Sequence, residues 1–332
     1  MNLPLSILLE RAIEARKAEL DAAHHVACRL FNGPREGCPE LFVDLYGSTV
    51  VLHNYADPPE MGAENLIAAQ AVVCNQLPWV CGIIIKERKG ETDQQRHGRL
   101  IDGEKIDKRI RENGIWYAID LLMNQDASFY LDTRLLRKWL IEKMAGGSVL
   151  NTFAYTGGLG VAAAAGGASR VVQTDRNKRF LNVSKISYSL NGFPIQRRDF
   201  QSMDFWAYMK RLNRAGERFD CVILDPPFYS TTSQGTIDLN KDMHRLINKV
   251  RPLVNHGGLI VAVNNALYLS GQAYMESLNE LCIGGYVDIE EVIPVPEECI
   301  GYPSTIVAPP VTDPTPFNHS TKIVVLRILH KV

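Results

Sequence analysis

Four residues, Asp225-Pro226-Pro227-Phe228, close the apolar run Cys221–Leu224 and bring together a carboxylate, two rigid rings and a planar aromatic. The prolines stiffen the turn and leave carbonyls free to face a substrate, and Phe228 offers a surface on which a planar base can stack. Upstream, the run Val149–Phe153 ends in Ala154-Tyr155-Thr156-Gly157-Gly158-Leu159-Gly160, where a helix-like segment begins, and Asp175 closes the next run 18 residues after Gly157. Glycine lets the backbone turn sharply and lets a ligand approach the amides of a helix N-terminus. A carboxylate at the end of the following strand can accept both hydroxyls of a ribose. Strand, glycine turn, helix, strand and acid together are the layout of a nucleoside-cofactor site. The stretch Gly158-x-Gly160-x-x-Ala163 also fits the nicotinamide pattern, so the Asp-Pro-Pro-Phe turn, in the crevice where such sheets bind ligands, decides the class.

These residues need a sheet to hold them. After Gly146-Gly147 the chain alternates strand-like and helix-like runs: Val149–Phe153, Gly158–Ala165, Arg170–Thr174, Lys178–Leu190, Met203–Leu212, Cys221–Leu224, Leu239–Val254, Leu259–Val263 and Gln272–Leu281. That alternation predicts a doubly wound α/β sheet. Tyr286–Val292 and Ile323–Leu329 read as two more strands around a Pro-rich connection, the last running antiparallel. Residues 1–130 read as a small α+β domain: one helix over Leu5–Phe31, a hairpin turning at Gly47-Ser48, a strand Val80–Lys86 and another at Ile115–Leu121. The catalytic domain is expected over 131–332, entered by a helix at Asp132–Lys143.

At 332 residues, 46% hydrophobic and 22% charged, the chain is globular and long enough for two domains. Its net charge of −1 does not mark a polyanion binder, but the charge is segregated. Eleven basic residues face four acids between Arg170 and Arg218, and Glu276–Thr321 holds eight acids without Lys or Arg. The polar stretch Lys86–Arg111, with nine basic and six acidic residues, and the basic run to Arg218 are candidates for a phosphate-contacting face or a solvated one. The seven cysteines show no metal or disulfide spacing, and no signal peptide or apolar span is present, so a cytoplasmic protein without a metal or a membrane contact is expected.

The segments Asn151-Thr152-Phe153-Ala154-Tyr155-Thr156-Gly157-Gly158, Gly166-Gly167-Ala168-Ser169, Leu190-Asn191-Gly192 and Leu224-Asp225-Pro226-Pro227 resemble class I S-adenosylmethionine (SAM)-dependent methyltransferases. More narrowly they are similar to the bacterial 23S ribosomal RNA cytosine-C5 methyltransferase family. Gly37-Cys38-Pro39-Glu40-Leu41-Phe42-Val43-Asp44-Leu45-Tyr46-Gly47 resembles the start of that family's central α+β domain, and Phe129-Tyr130-Leu131-Asp132-Thr133-Arg134 the entry to its catalytic domain. The likeness runs from Arg29 to Leu329, so that family's N-terminal PUA-type RNA-binding domain is expected to be absent. The resemblance implies a Rossmann-like sheet of seven strands. It also implies that Tyr155, Thr156, Gly157 and Gly158 line the methionine end of SAM, Asp175 its ribose and Asp199 its adenine. Phe129, Asp132 and Arg134 would flank the same pocket, and Asp225 would face the methyl group and its acceptor.

One departure bears on the chemistry. Methylation at cytosine C5 needs a thiolate to add at C6, and the C5 enzymes carry a cysteine after the fifth strand, where this chain has Asn264 and Asn265. Cys221 reads as a strand-interior residue, and Cys299 lies in the Pro-rich connection. A nitrogen acceptor needs positioning rather than a thiolate: Asp225 and a prolyl carbonyl would orient an amine, Phe228 or Tyr229 would stack the base, and Asn264 or Asn265 would read its edge. Asp-Pro-Pro-Phe also resembles the acceptor loop of amino-methylating enzymes. The expectation is a SAM-dependent methyltransferase, releasing S-adenosylhomocysteine (SAH), that acts on a base in RNA, ribosomal RNA before others. A methyltransferase of protein or small molecules, and a non-catalytic SAM-binding RNA module, are the alternatives. Oligomeric state, a homodimer included, is left open.

Overall fold

The structure, a computed structural model, describes residues 3–232 and 235–330. It divides into two compact units, Met1–Asp132 with Pro296–Pro310, and Thr133–Val295 with Val311–Val332. The first unit thus ends at 132 rather than the expected 130, and it takes in 296–310, which the sequence assigns to the second domain.

The first unit is a five-stranded sheet ordered β1 (Ala27–Asn32), β2 (Leu41–Tyr46), β3 (Thr49–Asn54), β4 (Gly82–Glu87) and β5 (Arg99–Gly103). Helix α1 (Leu5–Ala15) and helix α2 (Ala63–Gln76) share its apolar core through Leu9, Ile13, Leu66, Ala69 and Val73. The β3–β4 pair is parallel, which requires a crossover, and α2 is that crossover. Tyr46 pairs with Thr49 across the two-residue loop Gly47-Ser48. The single helix expected over Leu5–Phe31 is instead α1 followed by β1. The apolar spacing of 3, 4 and 7 carries on past Ala15 by coincidence, whereas Ala27–Asn32 pairs antiparallel with β2. A two-stranded ribbon, β6 (Arg109–Glu112) and β7 (Ile115–Ala118), completes the unit.

The second unit opens with α3 (Arg134–Lys143) and continues β8 (Ser148–Thr152), α4 (Gly158–Ala165), β9 (Arg170–Asp175), α5 (Lys178–Leu190), β10 (Phe200–Ser202), α6 (Phe205–Arg214) and β11 (Phe219–Leu224). A short hairpin, β12 (Tyr229–Thr232) and β13 (Gly235–Asp238), precedes α7 (Met243–Val250), β14 (Val254–Asn264), α8 (Gly271–Cys282), β15 (Val287–Ile293) and β16 (Lys322–Ile328). The sheet runs β10-β9-β8-β11-β14-β16-β15, with β16 antiparallel to both neighbours. Alternate residues feed opposite cores. Cys221, Ile223, Val261 and Val263 meet Leu136, Leu140, Leu159 and Ala162 of α3 and α4. Val222, Leu224, Ile260 and Ala262 meet Met209, Leu246, Ile247 and Leu278 of α6, α7 and α8. Both faces are therefore covered, which explains near-continuous apolar strands.

Candidate functional site at the strand ends of the second unit

Strand order reverses between β8 and β11, and the crevice at the carboxyl ends of such a pair is where open α/β sheets take ligands. Register brings the candidate residues level there. Thr152 pairs with Leu224 and Leu224 with Ala262, so Phe153, Asp225 and Val263 lie side by side at the carboxyl ends of three adjacent parallel strands. Asn151 pairs with Gln173, which sets Asp175 beside Phe153 on the other flank.

The turn after β8 is strongly bent. Phe153, Tyr155 and Gly157 have φ of 51°, 50° and 81°. Two tethers hold this shape: the Ala154 amide donates to the Thr174 carbonyl (2.8 Å) and the Tyr155 amide to Asp175 Oδ2 (2.9 Å). Asp175 Oδ1 accepts from the Asn177 amide at 2.8 Å. Each oxygen of this carboxylate thus holds one of these amides, and the Arg176 backbone adds a further hydrogen bond to it. Burial raises the Asp175 pKa above the ordinary aspartate value, and the amides of Asn177 and Tyr155 oppose that rise. Below the turn, Gln173 Nε2 donates to Ser184 Oγ (2.8 Å), both side chains fully enclosed. A Cβ on Gly157 would lie 2.1 Å from Ser184 Oγ and 2.5 Å from Gln173 Oε1. The backbone therefore lies directly on a buried polar pair, and sequence reasoning missed both partners. A carboxylate held by amides, a glycine no side chain can replace and the start of α4 at the half-buried Gly158 suit a nucleoside cofactor.

Asp225 leaves β11 half-buried, Pro226 is buried and Pro227 exposed. Phe228 and Tyr229 are 40% and 65% exposed, so neither ring packs the loop onto the core, and both have open faces. The Leu239 amide donates to the Phe228 carbonyl (3.2 Å), closing the base of the β12–β13 hairpin.

Two sequence candidates have other work. Asn264 is fully buried; its Nδ2 donates to the Leu239 carbonyl (3.0 Å) and its Oδ1 accepts from the Ala266 amide (2.9 Å). It pins the loop after β14 and has no edge to present to a base, whereas Asn265 is exposed and is followed by Tyr268, 74% exposed. Asp199 precedes β10 and lies level with Val172, because Phe200 pairs with Gln173. Three residues at ~3.3 Å each put it about 10 Å from Asp175, toward the amino ends of the strands. There its Oδ1 pairs with Arg170 Nε (3.0 Å), and Arg170 Nη1 also holds Glu217 (2.9 Å). The segment level with Asp175 is Ser202-Met203-Asp204: Ser202 pairs with Asp175, and the Met203 amide donates to the Asp175 carbonyl (3.1 Å). Asp204 Oδ1 caps α6 through the amides of Trp206 and Ala207.

Phe129 and Asp132 belong to the first unit and Arg134 opens α3 of the second. Phe129 is buried against Tyr117, and its carbonyl accepts from Tyr46 Oη at 3.2 Å. Cys299 is also in the first unit, wholly enclosed, and burial raises its pKa well above that of an ordinary thiol. Cys221 is enclosed between the strands and pushed up to about 12. Both thiols are therefore held in the protonated, non-nucleophilic form at neutral pH. No helix among the described residues is long and apolar enough to cross a membrane, and no group of acids, Cys and His among them could hold a metal ion.

The pattern common to the S-adenosylmethionine-dependent methyltransferases matches residues 67–284. The chain is 30% identical over 267 residues to YwbD of Bacillus subtilis, which carries the name of a ribosomal RNA large subunit methyltransferase. That alignment takes in 78% of this chain and 65% of YwbD. Ribosomal RNA large subunit methyltransferase I of Photobacterium profundum is 28% identical, over 79% of this chain and 66% of its own. The chain thus spans about two thirds of the length of these relatives. The solved structure of a Streptococcus mutans protein described as a SAM-dependent methyltransferase superposes with a TM-score of 0.83 at 23% identity, over 99% of this chain and 82% of that one. Another, of a methyltransferase complexed with SAH, gives 0.84 at 23% identity, over 99% and 83%. These likenesses carry the fold.

Proposed function

Since the chain belongs to the S-adenosylmethionine-dependent methyltransferase family, we propose that it transfers a methyl group from SAM to a ring or exocyclic nitrogen of a base in RNA, ribosomal RNA of the large subunit first. The observation that carries the SAM site is the Asp175 carboxylate, held by the Tyr155 and Asn177 amides beside the Gly157 turn. Two ribose hydroxyls would donate to its oxygens, while Tyr155, Thr156, Gly157 and Gly158 receive the methionine end. Met203 and Asp204, which follow the Ser202–Asp175 pair, would receive adenine in preference to Asp199. Phe129, Asp132 and Arg134 are retained as flanking residues by resemblance alone.

When bound, SAM supplies an electrophilic methyl on a sulfonium. The chain's part is to aim an acceptor at it. Asp225 and the carbonyl of a neighbouring proline would accept hydrogen bonds from an amine and fix its lone pair in line, and Phe228 and Tyr229 would hold the base by stacking. Asn265 remains a candidate to read the base edge. A nitrogen acceptor is preferred over cytosine C5 because Cys221 and Cys299 are both enclosed and protonated. The names of the relatives support the ribosomal substrate.

The test is transfer of isotopically labelled methyl from SAM to ribosomal RNA from cells lacking this gene, followed by nucleoside mass analysis. Label on a base nitrogen is expected. With Asp225→Ala, transfer should fall on the order of 100-fold while SAM binding survives. 5-Methylcytosine would overturn the nitrogen assignment, and label in protein or a metabolite would overturn RNA. SAM binding without any transfer would mean a non-catalytic module.

A further inference from the structure

The basic stretch Lys86–Arg111 is mostly spent inside its own unit. Lys86 Nζ donates to the carbonyls of His97, Asn124 and Asp126, Arg88 pairs with Asp126 (2.9 Å), and Arg96 pairs with Asp93 (2.6 Å). Lys105 lies 3.4 Å from Asp107, which also accepts the Ser48 amide and hydroxyl. Arg109 and Arg111 differ. Both are exposed, alternate on the outer face of β6, and have no carboxylate within ion-pair distance among the described residues.

They flank one indole. The Arg109 guanidinium lies 4.4 Å from the Trp116 ring centre and that of Arg111 5.6 Å from it; Arg111 is the cross-strand partner of Trp116. The ring of His25 meets Trp116 edge-on at 4.8 Å, and the Arg111 amide donates to the His25 carbonyl (2.7 Å). The ribbon behind them is firm: Ile110 and Tyr117 are buried on its inner face, and the turn runs through Asn113 (φ 50°) and Gly114 (φ 81°), two positive-φ positions suited to a tight hairpin. Arg111 Nε donates to the Gly114 carbonyl (3.2 Å), and a guanidinium over an indole offers its remaining N–H groups to phosphate oxygens.

We propose that the outer face of the β6–β7 ribbon is a second RNA contact, in which Arg109 and Arg111, both lying over Trp116, clasp phosphates of the substrate RNA. This rests on the RNA reading above. It adds a backbone anchor, which fixes orientation and contributes affinity without reading sequence.

The experiment compares wild type with Arg109→Ala/Arg111→Ala and Arg109→Lys/Arg111→Lys, using a labelled transcript of large-subunit ribosomal RNA titrated between 50 and 300 mM salt. Two phosphate contacts contribute a log–log slope of about 1.4–1.8, so the alanine pair should bind ~25- to 60-fold more weakly near 0.1 M salt, with a slope shallower by that amount. The lysine pair should keep most of the slope and lose only part of the affinity, and SAM affinity should not move in either. An unchanged slope and affinity in the alanine pair overturns the ribbon contact, while methyl transfer by the wild type to RNA leaves the proposed function standing. Ribbon-dependent capture of a polyglutamate peptide with no effect on RNA also overturns it. Failure of the wild type to label RNA, with ribbon-dependent RNA binding intact, strikes the proposed methylation and spares the contact.

Discussion

Gly157→Ala tests the cofactor turn most directly. Two separate costs arise at this residue. An L side chain at φ 81° is in the left-handed region, which costs about 1–2 kcal/mol. Its methyl would also lie 2.1 Å from Ser184 Oγ and 2.5 Å from Gln173 Oε1, inside a filled interior where such overpacking costs about 1–3 kcal/mol. The sum, about 2–5 kcal/mol, is a large part of the 5–15 kcal/mol typical of a whole domain. Gly146→Ala is the matched control, because Gly146 has φ 75° and nothing within 4 Å of the added Cβ. It should lose only the conformational part, about 1–2 kcal/mol. Urea unfolding followed by tryptophan fluorescence, to which Trp139 and Trp206 of the second unit contribute, measures the two variants on one scale. In parallel, SAM at 100 times its Kd should add about 2.7 kcal/mol to the control and little to Gly157→Ala. Equal destabilisation of the two, within about 0.5 kcal/mol, would show that the turn does not rest on the Ser184–Gln173 pair and would refute the reasoning.

Three further outcomes follow from the same structure. Asp175 has a raised pKa, so its burial penalty is relieved as pH falls through the folded value: calorimetry of the ligand-free protein should show this contribution to stability rising there, while SAM affinity falls about tenfold per pH unit. Asp175→Asn should flatten that pH dependence and weaken SAM binding throughout. Removing the Arg16 side chain would strand Glu36, which is 1% exposed and bonded to Arg16 (3.0 Å), the Asn32 amide (2.7 Å) and the Thr305 hydroxyl. Arg16→Ala should therefore destabilise by about 3–5 kcal/mol, and Arg16→Met/Glu36→Met should recover much of it in denaturant titration. Cys299→Ala and Cys221→Ala should both retain methyl transfer in the labelling assay; abolition by either would restore thiolate chemistry.

The cofactor layout was readable because it is local: a glycine turn and the next strand's acid lie 18 residues apart and are placed by one βαβ unit. What supports it was not. Gln173 and Ser184 look like ordinary strand and helix residues until packing turns them under Gly157. Asp199 and Asp204 are five positions apart, and only the three-residue β10, too short to show a period of two, decides which is level with Asp175. Asn264 looked available because a polar residue at a strand end usually faces solvent, but the Leu239 carbonyl claims it. Likewise the helical spacing through Phe31 outlasted the helix, since a β-strand pairing partner lies outside the window that periodicity inspects.

The first unit is not contiguous in sequence, and that sets an order of events during synthesis. Arg16 donates to the Glu298 carbonyl (2.9 Å), Asn32 Nδ2 to the carbonyls of Cys299 and Ile300, and the Val307 amide to the Arg35 carbonyl (2.8 Å). None of those partners exists when residue 132 leaves the ribosome. At ~5–20 residues per second, the wait for residue 310 is roughly 10–40 s, during which Asn32 and part of the Arg16 guanidinium lack these acceptors. The nascent amino-terminal part is without these bonds throughout that wait, and a stop codon anywhere before Pro296 would leave it without them permanently.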